Sequence, residues 1–138
     1  MEETIVKKGS LAETSKNMQA YFDTHDVKYV AEDAVYIHMG SGEETKGREA
    51  IAGMLHYMYH VAFEARAEFS NSIITENHAM VEGKFKGKHI GEFAGLPATN
   101  REVDVPICVT YDLENGLIKT ARVYMLGDVM MKQLTGNG

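Results

Sequence analysis

This sequence of 138 residues has no tryptophan, two prolines and one cysteine, and each shortage removes a class of molecule. A lone thiol forms no internal disulfide, so the fold does not rest on a disulfide framework. Cys108 follows Val105 and Ile107 and precedes Val109, and there it reads as a buried structural thiol. Positive charge is scarce as well: 14 Lys and Arg face 20 Asp and Glu, a formal charge of −6, with no long basic run. That balance withholds the electrostatic footprint that a phosphate backbone needs, so no nucleic-acid partner is expected. No stretch approaches the roughly 18 apolar residues of a membrane span. The segment Met1-Glu2-Glu3-Thr4-Ile5-Val6-Lys7-Lys8 is too short and too charged for a secretion signal. The expectation is a cytoplasmic protein with no membrane contact. A glycine-rich phosphate loop, a dinucleotide fingerprint and a Gly-x-Ser-x-Gly elbow are all missing, so no cofactor is expected.

What is present sorts into helical and strand patterns. Ser10-Leu11-Ala12-Glu13 has the spacing of a capping box. Behind it, Leu11, Met18 and Phe22 recur at helical spacing, which predicts a helix over Leu11 to Asp23. A break at Thr24-His25-Asp26 and a short turn from Val27 to Ala31 follow. From Ala34 to Met39 the period is two, a strand with Ala34, Tyr36 and His38 on one face. The Gly40 to Glu44 loop ends it. Ile51, Met54, Leu55, Met58 and Val61 then return to the three-and-four spacing of an amphipathic helix from Arg48 to Val61.

Four strand patterns come next, Ala65 to Thr75, His78 to Lys88, Val103 to Glu114 and Leu117 to Leu126, turning at Glu76-Asn77 and at Asn115-Gly116. Asn-Gly between β-rich runs is a strong hairpin signal, since both residues accept positive φ. Gly83 and Gly87 are placed to bend their strand. Helices followed by an antiparallel meander make an α+β fold. With no repeat or linker, residues 1–138 read as one domain, long enough to bury a full core.

The stretch Lys88-His89-Ile90-Gly91-Glu92-Phe93-Ala94-Gly95-Leu96-Pro97-Ala98-Thr99-Asn100-Arg101, with Tyr111 to Ile118 after one more strand, closely resembles the signature of the SnoaL-like polyketide cyclases. Those proteins belong to the nuclear-transport-factor-two-like superfamily. The resemblance implies a cone-shaped curved antiparallel sheet around N-terminal helices, an internal apolar pocket, and a homodimer through the outer face of the sheet. It also implies a cofactor-independent cyclase or isomerase acting by proton transfer on an apolar polyketide- or steroid-like molecule. Two aspartates that recur in the family pattern fall here on Val109 and Leu126, which leaves open a ligand-binding protein without catalysis. Asn100 stands where the pattern has glycine.

Within that pocket the candidate catalytic residues are His89, Glu82 and Tyr124. His89 is either a proton carrier or a strand-end histidine hydrogen-bonded to a loop. Glu82, opposite in face to Val81 and Phe85, becomes a general acid or base only if its face lines the cavity; otherwise it is a solvated residue among Lys84, Lys86 and Lys88. Tyr124 or Tyr36 would donate to an enolate oxygen. Tyr36, His38, Met54, Met58, Phe93 and Arg122 complete the substrate-binding set, and an inward Arg122 would need Glu82 or Asp128 as partner. His56 and His60 share a helix face, but no third ligand follows at a known spacing, and no metal is expected.

Overall fold

The computed structural model describes residues 9–136. Helix α1 (Leu11–Thr24) begins where the Ser10 hydroxyl accepts the Glu13 N–H at 3.2 Å, and the Glu13 carboxylate accepts the Gly9 N–H. A single turn at Val27–Tyr29 leads into β1 (Val30–His38), followed by β2 (Glu43–Lys46) and α2 (Arg48–His56), which runs on as one π-helical turn at Tyr57–Val61. The meander β3 (Phe63–Ile74), β4 (His78–His89), β5 (Glu102–Glu114) and β6 (Leu117–Met125) then precedes α3 (Gly127–Thr135). No described helix is long and apolar enough to cross a membrane.

All six strands form one sheet in the order β2-β1-β6-β5-β4-β3. It is mixed, since β1 runs parallel to β6 and every other neighbouring pair is antiparallel. The purely antiparallel sheet expected from the sequence is corrected on that point, and β2 lies where a loop was expected. Val103, Val105, Ile107, Val109, Tyr111 and Leu113 alternate inward along β5 and are all buried. Met18 and Tyr21 of α1 and Ile51 of α2 close the same core from above. A second cluster, built on Phe63, Phe85, Met130 and Leu134, fills the other end of the sheet under α3.

Curvature comes from the two strand glycines. A Cβ on Gly83 would stand 2.0 Å from the Glu68 carbonyl oxygen, and one on Gly87 would stand 2.5 Å from the Ala65 Cβ. Strand β3 thus folds over β4 more tightly than any side chain allows. Opposite Gly83 the β3–β4 register shifts by one residue between Phe69 and Asn71, a bulge that bends the strand and exchanges its faces. Helix α1 is pinned to both hairpin turns of the meander. Thr14 donates to the Glu76 carbonyl at 2.9 Å, and Asn17 donates to the Gly116 carbonyl at 2.8 Å.

Candidate functional site

The signature stretch is a folded loop. His89, fully buried at the end of β4, exchanges backbone hydrogen bonds with Arg101 and Asn100 across the base of the loop. Its Nδ1 accepts the Thr99 N–H at 3.2 Å and lies 2.9 Å from the Thr99 hydroxyl. An amide N–H only donates, so Nδ1 is the unprotonated nitrogen and Nε2 carries the proton. That Nε2 is buried without a partner among the described residues, with the Phe63 ring centroid 5.2 Å from the imidazole. At the tip, Phe93 and Leu96 exchange both backbone bonds around Ala94 and Gly95, whose φ values are 51° and 81°. Asn100 has φ 60°, the left-handed conformation that glycine supplies in the family pattern. Phe93 packs its ring edge-on to Phe63 at 5.2 Å.

The other sequence-selected residues lie apart from this loop. Glu82 is exposed on the outer face of β4, where it accepts from the Asn71 amide at 3.1 Å. It faces solvent because Val81 and Phe85 take the core side and strand side chains alternate. Tyr124 is 44% exposed on the same outer face, in register with Cys108, which is itself in register with Glu82. Cys108 therefore turns away from Val105, Ile107 and Val109 and is half-buried, a correction to the buried thiol expected. Partial burial, then the neighbouring Glu82, raise its pKa. Arg122 also points outward and pairs with Asp112 at 3.0 Å, rather than with Glu82 or Asp128. Asp112, held low by Arg122, faces His78 Nδ1 at 3.2 Å as well.

Tyr36 does face inward, as its strand pattern requires, and His38 shares that face at the strand's end. Met54 and Met58 pack against the two halves of the core. None of these nine residues lines either of two cavities found among the described residues.

Those cavities, about 390 and 410 Å³, lie side by side between the end of α1 and the inner side of β3. Phe22 and Asp23 of α1 and Ala67 of β3 border both. The first is walled by Leu55 and Tyr59 of the second helix, by His56 and His60, by His25, and by Arg66 of β3, whose guanidinium is paired with Glu68 at 2.6 Å. His25 ends α1 with φ 54°. That left-handed turn drives its imidazole among aromatic rings, 5.1 Å from Tyr21, 4.9 Å from Tyr59 and 6.3 Å from Phe69, centroid to centroid. Burial lowers its pKa to about 4, so the ring is neutral at physiological pH. Tyr59 is pushed up to about 12 by burial, and Tyr21, Tyr36 and Tyr111 are also raised well above the ordinary phenol range, chiefly by the same desolvation. All four phenols are therefore protonated donors.

Sequence reasoning passed over His25 and Asp23, because Thr24-His25-Asp26 read only as a helix stop. The usable signal was a histidine at the residue after a helix end, where a left-handed backbone throws the side chain back over the helix's own last turn. A neutral imidazole and a carboxylate on one cavity wall can divide a proton transfer between donor and acceptor. Among the described residues no group of three or more His, Cys, Asp or Glu is placed to hold a metal ion.

The sequence model of the SnoaL-like polyketide cyclase family matches residues 13–134. Among solved structures, a candidate SnoaL-like polyketide cyclase from Jannaschia sp. CCS1 is 16% identical with TM-score 0.80, over 98% of this chain and 97% of that one. The candidate polyketide cyclase IdmH from Streptomyces antibioticus is 20% identical with TM-score 0.69, over 91% and 98%. A phenazine biosynthesis-related protein from Pseudomonas aeruginosa is 19% identical with TM-score 0.73, over 91% and 86%. At such identities the likeness establishes the fold. No curated protein matches the chain at a significant level.

Proposed function

Because the chain belongs to the SnoaL-like polyketide cyclase family, we propose that it is a cofactor-independent cyclase whose chemistry takes place in the cavity beside His25. Its substrate is an apolar, enolisable molecule of polyketide type. The observation that carries this reading is a neutral imidazole boxed by aromatic rings on the wall of a 390 Å³ cavity that Asp23 also borders. The Asp23 carboxylate takes the proton from the carbon next to a substrate carbonyl, and the bonding pair becomes an enolate. The His25 N–H donates to the enolate oxygen where charge develops. The enolate carbon then attacks a second carbonyl of the same molecule, the ring bond forms, and the new alkoxide recovers the proton from Asp23. His89 serves here as the anchor of the signature loop, a positioning residue rather than a proton carrier.

The test is deuterium exchange at the enolisable carbons of 2-tetralone in D2O, which reports proton abstraction without knowledge of the natural substrate. His25→Asn and Asp23→Asn are each expected to slow the catalysed exchange by about a hundredfold. Exchange at the wild-type rate in both variants would sink the reading.

A second reading has its own observation. Val109, at one of the usual aspartate positions, is buried in the apolar core, and Leu126, at the other, is exposed just before α3. A protein that binds such molecules without turning them over fits that substitution. Thermal stabilisation by 2-tetralone with no accelerated exchange would select it. In either case the assembly is proposed as a homodimer through the outer sheet face, where Ile73 and Tyr124 are left 55% and 44% exposed. Light scattering at the 15.3 kDa of one chain at micromolar concentration would contradict it.

A further inference from the structure

The second cavity is built differently from the first, and the difference arises in β3. Up to Phe69 the odd-numbered residues of β3 face the core, in register with Phe85 and Gly83 of β4. After the bulge the even-numbered residues do, so that Ser72 lies opposite buried Val81 and Ile73 is turned to the outer face, opposite Met80. A regular strand would have reversed this, turning Ile73 toward the core side and Ser72 toward the outer face. The bulge thus exposes a large aliphatic side chain and lines a cavity with a hydroxyl, the opposite of what core packing favours. Ser70 and Asn71, at the bulge, are engaged by Glu82 of β4 through its carbonyl at 3.4 Å and its carboxylate at 3.1 Å. Gln19 of α1 and Ser72 supply the remaining amide and hydroxyl. Among the described residues the only charged side chain on this cavity is Asp23, shared with the first, and no Lys, Arg or His borders it.

From this we infer that the second cavity is a subsite for an uncharged, hydroxyl- or amide-bearing arm of a ligand whose apolar ring sits in the cavity beside His25. The inference rests on the reading of the His25 cavity as the substrate site and adds the shape and charge of the substrate. The ligand class is amphipathic, a fused apolar ring with a neutral polar arm, and Asp23 at the junction selects against an anionic one. Gln19 and Ser72 are the specificity-determining pair: the amide offers both a donor and an acceptor, and the hydroxyl offers either.

Three naphthyl probes separate the parts: 2-ethylnaphthalene as ring alone, N-(2-hydroxyethyl)-2-naphthamide with a neutral arm, and N-(2-naphthoyl)glycine with an anionic arm. The chain has no tryptophan, so naphthyl fluorescence reports binding without overlap from indole. The neutral arm is expected to tighten Kd about fivefold over the ring alone, the value of one or two hydrogen bonds exchanged from water. The anionic arm is expected to bind about tenfold more weakly than the neutral one. Combined Gln19→Leu and Ser72→Val substitution is expected to bring the neutral-armed probe back to the Kd of the ring and to leave the ring's own Kd unchanged. Ser72→Val alone, at an exposed position, serves if the double variant fails to fold. Ring binding with no discrimination between arms would overturn the subsite and leave the His25 cavity standing. Failure of all three probes to bind would overturn both.

Discussion

The hydroxyls of Tyr21 and Tyr36 meet 2.7 Å apart inside the core, α1 reaching β1 through two phenols. Both are almost wholly buried, and burial raises both pKa values, so one hydroxyl donates and the other accepts. Tyr36→Phe strands the Tyr21 hydroxyl and is expected to lower stability by about 1–2 kcal/mol. Adding Tyr21→Phe removes the stranded group, so the double variant loses less than the sum of the single losses. Urea unfolding of the four proteins measures the coupling, and strict additivity would mean that the bond is absent in solution.

The depressed pKa of His25 gives a stability that depends on pH in a stated direction. Its folded value is about 4 against 6.5 for the free side chain. Above about pH 6.5 neither state binds the proton and stability is complete. Between 6.5 and 4 the unfolded chain takes up a proton that the folded chain refuses, and about 3 kcal/mol is lost across that window. Below 4 both states are protonated and this loss ends. Asparagine accepts the left-handed backbone and does not titrate. Unfolding midpoints of His25→Asn at pH 7, 5.5 and 4.5 are therefore expected to fall less steeply than those of the parent. Parallel slopes would place the imidazole in water.

Two glycines give opposite outcomes for one substitution. Gly83→Ala puts a methyl group 2.0 Å from a backbone oxygen of β3, and the strand has to move away, at a loss of about 3 kcal/mol. Gly53 lies within α2, and nothing approaches its position within 4 Å. There alanine is expected to add up to about 1 kcal/mol by helix propensity. Thermal melts of the pair check the sign at each site, and a neutral Gly83→Ala would refute the tight curvature.

Removal of the His89 ring empties a fully buried space and leaves the Thr99 N–H without its acceptor. His89→Ala is expected to lose about 2–4 kcal/mol and to speed hydrogen exchange at the Thr99 and Arg101 amides. Unchanged protection of those amides would separate the histidine from the loop.

The expected helices and meander strands lie within a few residues of the observed ones, because apolar period sets each element and Asn115-Gly116 sets the last turn. Strand β2 escaped notice because Glu43-Glu44-Thr45-Lys46 carries no apolar alternation; β1 recruits it through backbone bonds at the sheet edge. The parallel β1–β6 pairing leaves no local trace, as its partners are more than 80 residues apart. Face assignment was the weakest step for function. Alternation separated Glu82 from Val81 correctly, yet alternation alone does not say which face is concave. The bulge at Ser70 then exchanges the faces of β3 midway. The signature was legible as a family mark, whereas Asp23 and His25 owe their position to one left-handed residue that composition does not announce.

Because Val30 of β1 pairs with Ile118 of β6, the N-terminal third of the chain has only the four-residue β2 to pair with β1 until the C-terminal hairpin exists. On the ribosome, α1 and the short β1–β2 pair emerge early and wait while nearly ninety further residues are made. Their apolar residues stay open to chaperones, and to the wrong neighbours, throughout that interval. The local hairpins β3–β4 and β5–β6 are expected to close first and insertion of β1 beside β6 to come late, at a speed set by the closure of a long loop.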